Sequence, residues 1–485
     1  MAAEFHFEHR VEFTPETAIE VLRPIVAGPG VFALRGESGE PYLTRAADVR
    51  RRLKRLLAPP ETTFAADGSE QVVASKRLNL RNRVRFIEWT ATGSEFESTL
   101  LLYCATRATF GEEQARKRLR LYAPAFLRVT LAHEHPRVYV TNKLSAKALA
   151  TTFGPFPSRA AAERYCDGVL DLFKLRRCHE DLQVHPDHPG CAYGEMKKCM
   201  EPCKAACTAD EYAAEAEAVR AFFATRGESM LAEIAKERDA ASEDMDFERA
   251  AELHAKYERV KAAAIQADEL VRPVNMLRVL VLQQAASEGA DASHEQAAVF
   301  LLEHGEIVGP QRLSTLGVRA VREQTAVGSS LFAQPLMLAA VPLVEEGPGP
   351  KAQGLEGEAV VSLSPEERVR ALLAKLEGEA NAEVSIAVMC DFLALFRRWY
   401  YRPEKQRAGE VFLPNADGSW PVRRILNGAA RVVLGPPKEA APVDREAAAA
   451  MKTKVLHEGR EDVERVVPVL PKRKRTRKAT DAPQP

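Results

Sequence analysis

Apolar positions change period several times along the chain, and the changes mark the expected elements. Residues 19 to 57 open as a helix and continue as two short apolar runs, Gly30 to Arg35 and Pro41 to Thr44. The turn-forming Gly36-Glu-Ser-Gly39 joins them as a β-hairpin. From Ala46 to Leu57 the period becomes helical: Val49, Leu53, Leu56 and Leu57 line one face, and Arg45, Arg50, Arg51, Arg52, Lys54 and Arg55 fill the rest. Glu70 to Ala91 alternates as strands do, Glu95 to Ala105 is helical, and Leu127 to Leu131 with Arg137 to Thr141 form a second hairpin. Gly154 to Ser158 has the chemistry of a loop, with Ser158 as N-cap of a helix running to about Phe173.

Farther along, residues 210 to 270 are rich in Ala, Glu, Lys and Arg, with no Pro and one Gly at 227, which predicts two long helices folded into a hairpin. Strands are expected at Met276 to Leu282, Ala297 to Glu303 and Ile307 to Val308, and a linker at 345 to 361. Helices at Pro365 to Glu379 and Ala382 to Tyr401 precede short strands around Val411, Trp420 and Val432. The end, Lys472-Arg-Lys-Arg-Thr-Arg-Lys478, belongs to a basic tail expected to be disordered from 437 to 485.

At 485 residues, several cores are needed, and the 46% hydrophobic and 28% charged composition excludes bulk disorder. Domains are expected at 19–150, 151–209, 210–270, 274–344 and 362–436, with the tail beyond. No apolar stretch is long enough for a bilayer helix, since Leu331 to Val344 is interrupted by Gln334 and Pro335. Polar residues occupy the place of a signal-peptide core in Met1 to Arg10, so a cytoplasmic protein without a membrane partner is expected. Lys plus Arg equals Asp plus Glu at 68 each, so attraction to a polyanion must come from local clusters. Six cations between Arg45 and Arg55, followed by Lys76, Arg77, Arg81, Arg83 and Arg85, form such a cluster. Sequence-independent contacts to the phosphates of duplex DNA explain it better than a solvated helix face does.

Five of the eight Cys fall within thirty positions. Cys178, Cys191, Cys199 and Cys203 can converge as thiolates on one soft metal centre, while Arg177, Lys197 and Lys198 would favour the ionised sulfur. Spacing alone leaves zinc and an iron–sulfur cluster both open. Cys207 is a spare that can substitute for Cys203. The bland reading is a set of reduced, buried small hydrophobes.

Phe153-Gly-Pro-Phe-Pro-Ser158, Leu175-Arg-Arg-Cys178 and Lys198-Cys-Met-Glu-Pro-Cys203 together resemble the Cys-rich region of UvrC, the excinuclease subunit of bacterial nucleotide excision repair. The resemblance implies a 4Fe–4S cluster on Cys178, Cys191, Cys199 and Cys203, with zinc as the alternative. Met245-Asp-Phe-Glu-Arg-Ala-Ala-Glu-Leu253 resembles the UVR motif, the helical hairpin through which such proteins dock on UvrB. It implies a UvrB-type partner contacted by Phe247, Glu248, Ala250, Ala251 and Leu253. The first 130 or so residues are similar to a GIY-YIG nuclease domain: Gly30-Val-Phe32 and Tyr42-Leu-Thr44 stand at its two motifs, and Arg52 at its catalytic arginine. The implied architecture is α+β and multidomain, a small GIY-YIG-like α/β domain followed by a Cys-rich cluster domain, the UVR hairpin and a mixed α/β C-terminal region.

The departures from that family bear on catalysis. Tyr103 stands where the metal-binding glutamate belongs, no Asn lies between Tyr103 and Thr130, Phe32 lacks a hydroxyl and Thr44 replaces a glycine. Without a hard oxygen ligand, Mg2+ has little reason to stay, so Tyr42 and Arg52 are expected to be remnants in a degenerate nuclease fold that still binds phosphate through Arg45, Arg50, Arg51, Lys54 and Arg55. The alternative is an active, Mg2+-dependent endonuclease that uses Tyr42 and Arg52 with a metal ligand from elsewhere in the chain, since helix geometry points Glu95 and Glu97 away unless the register differs. The resemblance spans about residues 20 to 320; beyond Leu316 nothing resembles an RNase H-like nuclease or paired helix-hairpin-helix units. The aromatic run Phe392 to Tyr401 is expected to be core.

Overall fold

The computed structural model describes residues 5–25, 27–59, 62–64, 70–72, 78–286, 296–315, 363–380, 384–403, 406–434, 453–457 and 464–468. Lys76, Arg77, the apolar stretch 331–344, the linker 345–361 and most of the tail lie outside them. Residues 1–435 form one compact unit and 436–485 a second.

The first layer is a sheet of β1 (His9–Glu12), β2 (Gly30–Arg35), β3 (Tyr42–Ala46) and β6 (Phe86–Ala91), ordered β1-β6-β2-β3 and antiparallel throughout. The expected hairpin is β2–β3, with Phe32 opposite Thr44 and Leu34 opposite Tyr42. The short β4 (Thr62–Phe64) and β5 (Glu70–Val72) pair with each other outside this sheet. Phe32 and Leu34 enter a core with α1 (Ala18–Leu22) and with Val49, Leu53 and Leu56 of α2 (Val49–Leu56). Asp48 caps α2 by accepting the Arg51 backbone N–H at 2.8 Å. Gly30 is required by close approach: a β-carbon there would stand 2.6 Å from the Thr90 carbonyl oxygen.

The helix α3 (Glu95–Phe110), capped by Ser94, and α4 (Glu112–Leu119) lead to a second sheet. This sheet joins β7 (Ala125–Val129), β8 (Val138–Thr141), β9 (Thr152–Phe156) and β10 (Arg272–Pro273) in the order β10-β9-β7-β8. The segment Gly154 to Phe156, expected as loop, is thus interior strand, because β9 is buried along its whole length and pairs on both sides. Ser158 does cap α5 (Arg159–Leu170), accepting from Ala161 N–H at 3.1 Å. The short α6 (Ala192–Glu195) lies among the cysteines.

Instead of two long helices, 210 to 270 holds parts of three: α7 (Ala209–Thr225), α8 (Glu228–Glu243) and α9 (Phe247–Ala264). Arg226 and Gly227, both with positive φ, break the first from the second. Tyr212, Phe222 and Phe223 bury α7 against α5 and β9, so the hairpin proper is α8–α9.

Beyond it, β11 (Val279–Gln284), β12 (Gln296–Glu303) and β13 (Glu306–Ser314) form an antiparallel meander. Helices α10 (Pro365–Glu379) and α11 (Ile386–Tyr400) then precede β14 (Glu410–Phe412), which pairs antiparallel with β11. The segments 274–344 and 362–436, expected as separate domains, therefore share one sheet. Residues around Val432, expected as strand, belong to α12 (Val422–Leu434), since Ile425, Leu426, Ala429 and Ala430 recur at helical spacing and are buried; Trp420 lies outside any strand. Alternation decides which face meets what: Leu280, Leu282, Val299 and Leu301 pack on α10 and α12, whereas Val279, Val281 and Phe300 pack on α11 and α3. In the second unit, β15 (Thr453–His457) pairs with β16 (Glu464–Pro468) within the segment expected to be a disordered tail; the rest of that segment lies outside the described residues.

Candidate functional site

The β2–β3 hairpin and α2 bring Tyr42 and Arg52 together: the Arg52 guanidinium donates to the Tyr42 hydroxyl at 3.3 Å. The carboxylates nearest in sequence are engaged elsewhere. Glu40 accepts from Arg118 at 2.8 Å, Glu37 from Arg85 at 2.9 Å, Glu97 is buried and accepts the Gly93 N–H at 2.7 Å, and Glu95 binds Arg45 and Arg402. Tyr103 is fully buried against α11. Its hydroxyl donates to Asp391 at 3.1 Å, and Asp391 also accepts two hydrogen bonds from Arg116, at 2.7 and 2.9 Å. Burial and the Asp391 carboxylate push the Tyr103 hydroxyl far above its ordinary pKa, so it remains a neutral donor.

The basic residues of the hairpin and α2 divide by what they touch. Arg45 pairs with Glu95 at 2.9 Å, and Arg50 donates to the Ile25 carbonyl. Arg51, Lys54 and Arg55 are exposed, with no carboxylate partner among the described residues. Spacing places these three on the outward face, because Leu53 and Leu56 fix the inward one.

In the Cys-rich region, Cys199 and Cys203 are buried and Cys178 and Cys191 half-buried, all four as free thiols. They lie close enough to act on one another: burial foremost, then the neighbouring Cys178, Cys191 and Cys203, pushes the Cys199 thiol up to about 11, and Cys203 rises from burial and then Cys191. Among the described residues no group of three or more His, Cys, Asp or Glu is arranged to hold a metal ion as it stands. Backbone contacts knit the loops together, with His185 N–H donating to the Cys203 carbonyl at 3.0 Å and Met200 N–H to that of Lys174 at 3.0 Å.

The expected cation partners of these thiols are only partly in place. Arg177 and Lys198 both bind Asp171, at 2.7 and 2.8 Å. The cation beside the sulfur is instead Arg176, whose Nη1 is 3.9 Å from Cys178 Sγ while its side chain also donates to the carbonyls of His135 and Glu180. The Tyr212 hydroxyl accepts the Arg176 N–H at 3.1 Å and donates to the Pro136 carbonyl at 3.0 Å, so α7 braces the loop that carries Cys178. Sequence reasoning missed Arg176 and Tyr212; adjacency to Cys178 was the one signal available for the former, and nothing local marked the latter.

At the tip of α8–α9, Met245 and Phe247 are 76% and 68% exposed. Glu248 and Ala251 are exposed and Ala250 is half-buried, but Leu253 is 8% exposed and packs between the helices. The apolar face expected from Phe247 to Leu253 is therefore split: Leu253 holds the hairpin together, and Phe247 points away from it. Asp246 caps α9, accepting Arg249 N–H at 3.0 Å.

With this geometry in place, the comparisons become informative. The family model for the UvrC/Cho excinuclease middle domain matches residues 125–222, which include the second sheet from β7 to β9, the four cysteines and α7. UvrABC system protein C of Desulforudis audaxviator is 28% identical over 332 residues, covering 66% of this chain and 50% of that protein. That of Idiomarina loihiensis is 26% identical over 239 residues, covering 47% and 35%, and that of Nocardia farcinica 29% over 228 residues, covering 46% and 32%. No solved structure matches. The chain is a mixed α/β, multidomain protein with a central UvrC-type middle domain. It is similar in sequence to the UvrC family and spans half or less of the length of these curated relatives. Among the described residues no helix is long and apolar enough to cross a membrane.

Proposed function

We propose that this protein is a DNA-binding component of nucleotide excision repair that engages a UvrB-type partner and whose N-terminal nuclease site is degenerate. The observation that carries the reading is the placement of Tyr103: the position where a UvrC-like nuclease domain needs a metal-binding carboxylate holds a phenol locked onto Asp391. Magnesium needs several oxygen ligands, and the Tyr42–Arg52 pair offers one hydroxyl and a cation. On the neighbouring face, Arg51, Lys54 and Arg55, exposed and without a carboxylate partner among the described residues, suit duplex phosphates, giving affinity that is independent of sequence and sensitive to salt.

The four cysteines supply soft donors that bear on one another's charge, and a bound cation would favour the thiolate forms that burial and mutual repulsion now disfavour. Cys178, Cys191, Cys199 and Cys203 would hold a 4Fe–4S cluster, which would cross-link the loops between α5 and α7; zinc is the alternative occupant. Arg176 would offset negative charge at Cys178, and Tyr212 would fix its loop. At the hairpin tip, Phe247 presents the apolar anchor and Glu248 a charge for the partner, with Ala251 one turn along.

A specific contact favours a second reading, an active endonuclease: the Tyr42–Arg52 hydrogen bond keeps a nucleophile-side hydroxyl and a phosphate-neutralising cation together. A magnesium-dependent nicking assay on damaged duplex separates the two. The binding reading expects retention of duplex without incision; nicking that disappears in Arg52→Ala would overturn it.

A further inference from the structure

The described part of the C-terminal region has a basic surface that α2 does not share. The C-terminal end of α11 carries Arg397 and Arg398, with Arg402 just beyond it. Arg402 makes a two-pronged pair with Glu95, at 2.7 and 3.2 Å, and Arg45 of β3 reaches the same carboxylate at 2.9 Å. One negative group thus ties down two arginines from two parts of the molecule, and Glu95 is held at a pKa of about 2, chiefly by Arg402, so it stays charged. Arg398 is fixed by its backbone acceptors, donating to the carbonyls of Leu119 and Arg120 where α4 ends.

Burial, then the fields of Arg397, Arg402 and Arg45, hold Arg398 below the ordinary arginine pKa, as expected for cations crowded together. Arg397 donates to the Pro157 carbonyl at 2.9 Å, and its buried Nε has no partner among the described residues. A cleft of about 450 Å³ opens beside Arg45, Glu95 and Ser98, and a smaller one of about 40 Å³ between Arg45, Arg398 and Arg402. Tyr122, 73% exposed, lies near enough to Arg398 to bear on its charge.

The geometry points to a second phosphate-gripping surface: Arg45, Arg398 and Arg402, with Tyr122 at its rim, hold the backbone of the same duplex that α2 contacts. This rests on the DNA-binding reading above and extends it, through Arg398 and Arg402, to a region outside the UvrC resemblance. Guanidinium groups already fixed by Glu95 and by carbonyls lose little freedom on meeting a phosphate, and their remaining N–H groups suit its oxygens. An exposed aromatic ring beside them supplies a stacking face for a sugar or an unpaired base.

The test uses the full chain and a fluorescent duplex, with binding followed by anisotropy from low to high salt. Each phosphate contact contributes about 0.9 to the slope of log K against log salt, so Arg398→Ala/Arg402→Ala should lower the slope by about 2 and weaken binding roughly 50-fold near 0.1 M salt. Thermal unfolding checks that this variant folds. Should loss of the Arg398 contacts to α4 unfold it, Arg402→Gln with Tyr122→Ala takes its place, and the slope should fall by about 1. An unchanged slope, while Arg51→Ala/Lys54→Ala/Arg55→Ala lowers it, overturns this surface and leaves the α2 reading standing. Absence of salt-dependent duplex binding by the wild type overturns both.

Discussion

Tyr103 and Phe247 are aromatic residues in two segments that both resemble UvrC, and the fold treats them in opposite ways. Tyr103 is covered by α11 and bonded to Asp391, whereas Phe247 stands in solvent at the end of α8–α9. The difference is what lies opposite. Helix α11 supplies Phe392 and Asp391 to one face of α3, so that this helix is packed against a later part of the chain. No described element covers the hairpin tip, so its exposed side chains remain available for recognition.

The contrast can be tested in order of expected effect. If the middle domain depends on a bound centre, Cys199→Ser/Cys203→Ser should remove nearly all iron, sulfide and the absorption near about 400 nm from anaerobically purified protein, and sharply lower its thermal midpoint. Zinc in place of iron in the wild type would replace the cluster assignment and keep the structural one. Next, Asp391→Ala leaves Tyr103 and Arg116 without their acceptor; because Arg116 is about one-third exposed, the cost should be about 2–3 kcal/mol in urea unfolding, below that of a fully buried pair. A loss under about 0.5 kcal/mol would show that α3 and α11 are not coupled through this network.

Smaller effects separate the two roles assigned within the hairpin. Leu253→Ala should cost about 2 kcal/mol or more by opening the α8–α9 core, while Phe247→Ala should change stability by less than about 0.5 kcal/mol and still abolish capture of a UvrB-type protein in pull-downs. Undiminished capture by Phe247→Ala would count against the docking surface. The smallest effect is at Glu95. Its folded-state pKa, about 2, lies below the ordinary value of 4.5, so its stabilising contribution is complete above the ordinary value and disappears as pH falls through about 2. Solvent screening keeps it small, since the Glu95 side chain is about half exposed. Glu95→Gln should therefore flatten the acid limb of the stability profile slightly across that window; a wild-type slope in the variant would refute the assignment.

Much of the frame was legible in the sequence because local chemistry and final fold agree there. The turn at Gly36 to Gly39 and the arginine-rich amphipathic face predict β2–β3 and α2; Ser158 and Pro365 mark true helix starts. The contact between Tyr42 and Arg52 follows from the hairpin feeding α2 directly. What escaped was set by distant partners. Gly154 to Phe156 carries loop-forming residues, yet it is strand because β7 and β10 flank it. The union of 274–344 with 362–436 depends on three residues of β14 meeting β11, a pairing that periodicity in either segment cannot reveal. Leu253 and Phe247 looked alike as apolar residues; only the helix crossing shows which faces in.

The pairing of β14 with β11 also shapes how the chain must come into being. On a ribosome, β11 emerges well before its partner, and one flank keeps its N–H and C=O groups open until 285–409 and then β14 have followed. At elongation rates of roughly 5–20 residues per second that interval is on the order of ten seconds, long enough for an apolar strand edge to meet another chain. High-level expression therefore carries an aggregation hazard at Val279–Gln284, and truncation ahead of β14 would make that hazard permanent.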